Sequence, residues 1–138
     1  MEEQDIELMK KIISIVDKED MLVLDDWVSK MDKQNRIVSK NFDFPSYHLN
    51  AYIRYGKNMY GTEFLPTLVI SSIEVDSDAR GKGYGSKFID DFEKIAFQHN
   101  RNVFVELVHS KVLAEILKKK NYILDDGMLY ERCWWKFI

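Results

Sequence analysis

The sequence predicts an α/β (α+β) fold, a mixed sheet in one domain spanning residues 1–138, and three observations predict it. The first is a strand, a glycine turn, a helix and a second strand in immediate succession between Thr67 and Val108. Parallel strands need such a crossover, and it is right-handed in nearly all sheets. The second is a set of extended segments with short turns ahead of that unit, which reads as an antiparallel meander. The third is helical apolar spacing both before the meander and after the crossover, so that helices flank both faces of the sheet.

Taken in order, Ile6, Met9, Ile13 and Val16 predict a helix over Asp5 to Lys18. Leu24, Trp27, Val28 and Met31 predict a second, ending near Asp32, with Glu19-Asp20 separating the two; Met21 to Leu24 also reads as a short strand. Arg36 to Phe42 alternates weakly, and Pro45 makes a turn of Phe42 to Ser46. A further strand carries Tyr47, Leu49, Tyr52, Ile53 and Tyr55, with its end set at Gly56-Lys57-Asn58. Met59 to Leu65 is a connection, and Pro66 introduces the apolar, β-branched strand Thr67 to Val75. Phe88, Ile89, Phe92, Ile95 and Ala96 line one face of a helix that runs to about His99, where Asn100-Arg101-Asn102 stops it. Val103 to Val108 is a strand. Val112, Leu113, Ile116 and Leu117 stripe another helix, closed by three lysines that suit its C-terminal dipole. Tyr122 to Leu124 and Met128 to Phe137 form a hairpin about Asp125-Asp126-Gly127. Trp134, Trp135 and Phe137 cover the core or line a cleft; the other reading is an exposed patch that pairs two copies as a homodimer.

Composition narrows the function. Net charge is -3, which argues against general nucleic-acid affinity, and no run reaches transmembrane length. The one cysteine, Cys133, allows no intrachain disulfide, and no signal peptide is recognisable, so a cytoplasmic location is expected. His48 and His99 belong to no group with metal-ligand spacing.

The chemistry is carried by Arg80-Gly81-Lys82-Gly83-Tyr84-Gly85-Ser86. A helix start leaves backbone N–H groups without partners and adds partial positive charge. Glycines let a ligand approach that backbone closely, so the turn suits a phosphate. Gly81, Gly83 and Gly85 bring the third glycine one residue too early for a dinucleotide fingerprint, and no Walker run or kinase motif is present. Arg80, Gly83 and Gly85 do fit [Q/R]-x-x-G-x-[G/A].

That pattern resembles the pyrophosphate-binding signature of the GNAT superfamily of N-acetyltransferases, which use acetyl-CoA. The resemblance covers Arg36 onward and is sharpest from Ile70 to Phe88. It implies a parallel pair that splays apart around the coenzyme. It implies backbone contacts from Ile73 and Val75 to the pantetheine arm, and a pyrophosphate held by the amides of Gly81, Lys82, Gly83, Tyr84, Gly85 and Ser86. Arg80 and Lys82 would stand at the phosphate end. Later, Ser110-x-x-Leu113-x-x-x-Leu117-Lys118-Lys119-Lys120-Asn121-Tyr122 is similar to the family's N-x-x-A-x-x-x-Y-E-K-x-G-F. Ser110 replaces an asparagine that contacts the coenzyme, and Leu117 stands where many relatives carry a tyrosine that protonates the leaving thiolate. Leucine cannot do so.

Transfer to an amine needs a base and an oxyanion donor. Glu74, His109 and Ser110 are the catalytic candidates; Glu106 is a weaker one, and Tyr122, Tyr130 and Ser71 are further donors. The expected activity is acetyl transfer from acetyl-CoA to an amine, in a protein or a small molecule, by direct attack in a ternary complex. No metal, nucleic-acid or membrane partner is expected. The alternative is a GNAT-like domain that binds acyl-CoA or a protein and transfers nothing.

Overall fold

The computed structural model describes residues 18–106, 108–125 and 132–138. The predicted helix from Asp5 to Lys18 lies almost wholly outside them, as do Asp126 and Gly127 of the predicted hairpin turn and Tyr130. The described elements are α1 (Glu19–Gln34), β1 (Val38–Phe44), β2 (Leu49–Tyr60), β3 (Glu63–Val75), α2 (Tyr84–Gln98), β4 (Asn102–Val105), α3 (Lys111–Lys119), β5 (Ile123–Asp125) and β6 (Cys133–Lys136). One six-stranded sheet has the order β1-β2-β3-β4-β6-β5. Only β3 and β4 are parallel; every other pair is antiparallel.

Side chains alternate across a strand, and the core divides accordingly. Leu68, Ile70, Val103 and Val105 face the main cluster, to which α1 brings Leu24, Trp27 and Val28, α2 brings Phe88, Phe92 and Ile95, and α3 brings Leu117. Val69 and Phe104 face the other way and pack with Cys133 and Trp135. The last strand therefore serves both faces: Trp135 is fully buried, and Trp134 packs on the main cluster. Trp134 and Phe137 beside Trp135 are half-buried.

Several expected boundaries move, each for a local reason. Glu19 and Asp20 lie inside α1 and form its acidic first turn, where negative charge favours the dipole. Met21 to Leu24 is helical, with Met21 and Leu24 on the buried stripe. Gly56 does not end β2, because its carbonyl accepts from Arg101 and from Thr67 Oγ1 at 3.4 Å. Pro66 sits inside β3 opposite Lys57 rather than at its start. Its carbonyl accepts from Asn102 Nδ2 at 3.1 Å, so its ring nitrogen faces the β4 side. Pairing with β4 begins only at Thr67, so the missing N–H costs no ladder bond. β4 is shorter than expected and ends at Val105.

The feature that shapes the functional end is a bulge. β2 pairs Ile53 with Ile70 but Tyr52 with Ser72, leaving Ser71 as the extra residue. Leu68 and Ile70 before it, and Ile73 and Val75 after it, all pack on the main cluster, although Ile70 and Ile73 are an odd number apart. The bulge resets the alternation.

Candidate functional site

The parallel pairing of β3 and β4 runs from Thr67–Asn102 to Ile70–Val105 and no further. Its last bond among the described residues is from Glu106 N to Ile70 O, at 3.0 Å. Beyond it β3 continues to Val75, paired with β2 alone. Two hydrogen bonds fix which way its free groups point. Ile70 O faces β4, whereas Asp76 N donates to His48 O on the β2 side at 2.8 Å. In an antiparallel pair, bonded and non-bonded positions alternate, so Glu74 and Ser72 share the orientation of Asp76. Ile73 and Val75 then direct their peptide groups away from β2, into the gap that β4 has left. Ile70 and Asp76 are an even number of residues apart, and only the odd residue at Ser71 lets them face opposite edges. The Ser71 hydroxyl itself is buried without a hydrogen-bond partner among the described residues.

The gap opens into a cleft of about 530 Å³. One wall is Ile73, Glu74 and Val75; the floor is Ala79, Arg80, Gly81, Gly83, Tyr84, Gly85 and Ser86. The far wall is Ser110 with Val112, Leu113 and Ile116 of α3. The turn at its floor is built by backbone conformation. Gly81 and Gly83 have φ of 79° and 84°, and no atom lies within 4 Å of where a Cβ would stand on either. Both are therefore left-handed positions facing open space. Gly83 caps α2 without any side-chain bond. The first amide of the helix to find a carbonyl is Lys87, on Gly83 at 3.1 Å. No amide from Gly81 to Ser86 donates to a protein carbonyl among the described residues. These are the orphan donors of a helix start, gathered at one end of a cleft.

The sequence-derived candidates divide on this geometry. Ile73, Val75, Arg80, Gly81, Gly83, Tyr84, Gly85, Ser86 and Ser110 all line the cleft, and so does Glu74. Lys82 is exposed and does not line it. Arg80 is exposed and bridges the turn, with Nε donating to Val75 O at 3.3 Å. That contact occupies the Val75 carbonyl and leaves the terminal nitrogens of the guanidinium for a ligand. Ser110 caps α3, accepting from Leu113 N at 3.2 Å. His109 is outside the cleft: it lines a second, smaller cavity, and its Nδ1 lies 2.8 Å from Arg132 Nη1. Arginine is a donor only, so Nδ1 accepts and its lone pair is occupied. Glu106 is held by an ion pair with Arg54.

Leu117 is fully buried in the main cluster, away from the cleft wall formed by Leu113 and Ile116. Tyr122 is also buried, and burial together with the facing Glu93 carboxylate holds its hydroxyl well above the ordinary tyrosine range. It does not line the cleft. The sequence reading missed two contributors. Val112, Leu113 and Ile116 read as one apolar stripe with Leu117, but only Leu117 is fully buried, while Leu113 and Ile116 pack on the edge of the main cluster and, with the exposed Val112, wall the cleft. His48 supports the floor, its ring 4.5 Å from that of Tyr84, and nothing in the sequence signals that contact. No group of metal-ligating side chains occurs among the described residues, and no described helix is long and apolar enough to cross a membrane.

Solved structures that resemble this fold include two of one toxin. Both are of a tyrosine-to-phenylalanine mutant of the AtaT toxin bound to the C-terminus of the antitoxin AtaR, one of them also with acetyl-CoA. The first is 13% identical with a TM-score of 0.54, covering 64% of this chain and 57% of the other. The second is 14% identical with a TM-score of 0.51, covering 62% and 57%. This chain thus aligns with little more than half the length of either. No curated protein matches the sequence significantly. The acetyltransferase (GNAT) family matches residues 9–115, which span the bulged strand, the glycine turn and the start of α3. The chain belongs to the GNAT acetyltransferase family.

Proposed function

We propose that this chain transfers the acetyl group of acetyl-CoA to an amine acceptor. The observation that carries the proposal is the run of unpaired amides from Gly81 to Ser86 at the end of a cleft whose side wall is strand backbone turned away from β2 with no strand ladder on that side among the described residues. A diphosphate fits the first feature: it is anionic, and it meets donors and the positive end of a helix dipole. The pantetheine arm, with its two amides, fits the second, lying alongside Ile73 and Val75 as an added strand would. Val112, Leu113 and Ile116 supply apolar cover.

The bound thioester supplies an activated acetyl carbon. The amine nitrogen bonds to that carbon, the carbon–sulfur bond breaks, and the proton lost by the amine leaves with the thiol. The chain's part is mainly placement. The peptide groups of Ile73 and Val75 hold the donor along the strand, and a strand N–H in the gap faces the carbonyl oxygen as charge develops. Glu74 lies on the cleft wall and is exposed, so it can take a proton through water. Neither Leu117 nor Tyr122 is placed to protonate the sulfur, so the thiolate leaves without a proton from either position. A thiolate is stable enough near neutral pH for that to be workable.

Free-thiol release with acetyl-CoA and a panel of amines tests this directly, with calorimetric titration of acetyl-CoA against ATP and NAD as the binding control. Acetyl-CoA binding with thiol release is the expected result. Failure to bind acetyl-CoA would overturn the reading. Binding without turnover on any amine would favour an acyl-CoA-binding domain instead.

A further inference from the structure

Beside the cleft lies a second cavity of about 290 Å³, and Ser110 lines both. It is walled by the segment that follows β4, the first turn of α3, and the β5–β6 pair. Among its described lining residues the charged side chains are Lys111 and Arg132, with the His109 imidazole against Arg132, and none is a carboxylate. Its apolar lining includes Leu124 and Trp134. Arg132 is exposed, and its guanidinium is oriented by the bond to His109 Nδ1. Neither Arg132 nor Lys111 is ion-paired among the described residues, whereas the described part of the molecule pairs Lys30, Arg54, Lys87, Lys94, Arg101 and Lys120.

We infer that this cavity binds the acceptor, and that the acceptor is a small primary amine bearing an anionic group, a carboxylate or a phosphate. The inference rests on the transferase reading above. A net charge of -3 favours cationic partners over the surface as a whole, so a cavity whose described lining carries Lys111 and Arg132 and no carboxylate is a local departure from it. Arginine and lysine with no acidic partner are the groups that fix an anion, arginine by two parallel N–H bonds. The volume suits a small molecule rather than a protein segment. The shared wall at Ser110 lets an amine held by its anionic end reach toward the cleft.

The test uses the full chain and four amines: ethanolamine as the neutral reference, β-alanine for the carboxylate, O-phosphoethanolamine for the phosphate, and putrescine as the cationic control. Binding to the CoA-loaded protein is measured by calorimetry, and transfer by thiol release. The expected result is that β-alanine or O-phosphoethanolamine binds about tenfold or more tightly than ethanolamine, and that Arg132→Gln and Lys111→Gln each abolish most of that preference. In the variants KM for the anionic amine rises while kcat, the acetyl-CoA affinity and the ethanolamine rate stay near wild type. Equal binding of all four amines, a preference for putrescine, or an anion preference untouched in both variants would overturn the inference. Loss of acetyl-CoA binding in the wild type would instead overturn the transferase reading, so the two failures are distinct. A protein that binds CoA but transfers to nothing still decides the matter through the calorimetric arm.

Discussion

At Gly85 the demands of helix and ligand diverge, which makes it the most informative single position. It is the second residue of α2, and a Cβ there would meet only Val75 Cγ2, at 3.9 Å. Gly85→Asp puts a carboxylate in the first turn of a helix that has no side-chain cap, which favours the helix by about 0.5 kcal/mol. The same carboxylate repels a diphosphate held by the neighbouring amides. The expected outcome is a thermal midpoint equal to or above wild type and a loss of acetyl-CoA affinity of about a hundredfold or more. Calorimetric titration beside a thermal melt measures both, and unchanged affinity would remove the phosphate from this turn. Glu93 offers a pH test. Burial raises its carboxyl above the ordinary 4.5, so the folded state holds a proton there that the unfolded chain has already released. Stability contributed through this group is therefore greatest at low pH and is lost as pH rises from about 4.5 through the folded value. Glu93→Gln removes the term. Urea unfolding should show the variant gaining on wild type at pH 7 and the gain shrinking toward pH 4. The residues of the glycine turn were legible in the sequence because spacing alone excludes other phosphate loops. Lys82 and His109 were not: sequence gives the charge of a side chain but not its direction, and one turns to solvent while the other turns to a different cavity.

At the scale of elements, the stripes and alternations placed every described helix and strand, and the misplacements fell where a partner far along the chain decides the end. Gly56 continues β2 because Arg101, 45 residues later, holds its carbonyl. Pro66 is tolerated inside β3 because β4 begins one position too late to need its N–H. The bulge left no mark in the sequence, since Ser71-Ser72 reads as ordinary strand. Inserting one alanine between Ser72 and Ile73 should move Ile73 and Val75 one place along the alternation, turn them off the main cluster and face their peptide groups to β2. Coenzyme binding should vanish and stability should fall, whereas deleting a residue from the exposed β2–β3 turn at Gly61-Thr62 should leave binding in place. Binding retained after that insertion would show that the strand edge plays no part. The cap on α3 is a milder case: Ser110→Ala removes the bond to Leu113 N and should cost about 1 kcal/mol in denaturant unfolding.

Across the molecule, the two ends of the parallel pair do different work. At the N-terminal end of β4, Arg101 is buried and joins three elements. Its Nε donates to Thr67 O at 3.1 Å and its Nη1 to Tyr55 Oη at 2.8 Å, and its guanidinium lies 3.7 Å from the Tyr55 ring centre. Tyr55 in turn bonds Asp32, and burial with that carboxylate pushes the phenol up to about 12. His99 closes the network, its two ring nitrogens each 2.7 Å from a carboxylate of α1, Asp25 and Asp32. This end ties α1 and α2 to the sheet, and the cleft lies at the other. Arg101→Met leaves Asp32 and two carbonyls short of a donor and should destabilise by about 3 kcal/mol. The folded fraction should bind acetyl-CoA as wild type does. A variant that keeps its stability but loses the coenzyme would show the two ends to be coupled.

Past Ser71, β3 meets whatever fills the cleft with its main chain, and every amino acid carries the same main chain. Ile73 and Val75 can therefore drift among residues of similar bulk without altering the pattern of donors and acceptors offered to a guest, while a single residue inserted between Ser72 and Ile73 inverts that pattern. In this stretch, length is under tighter constraint than identity.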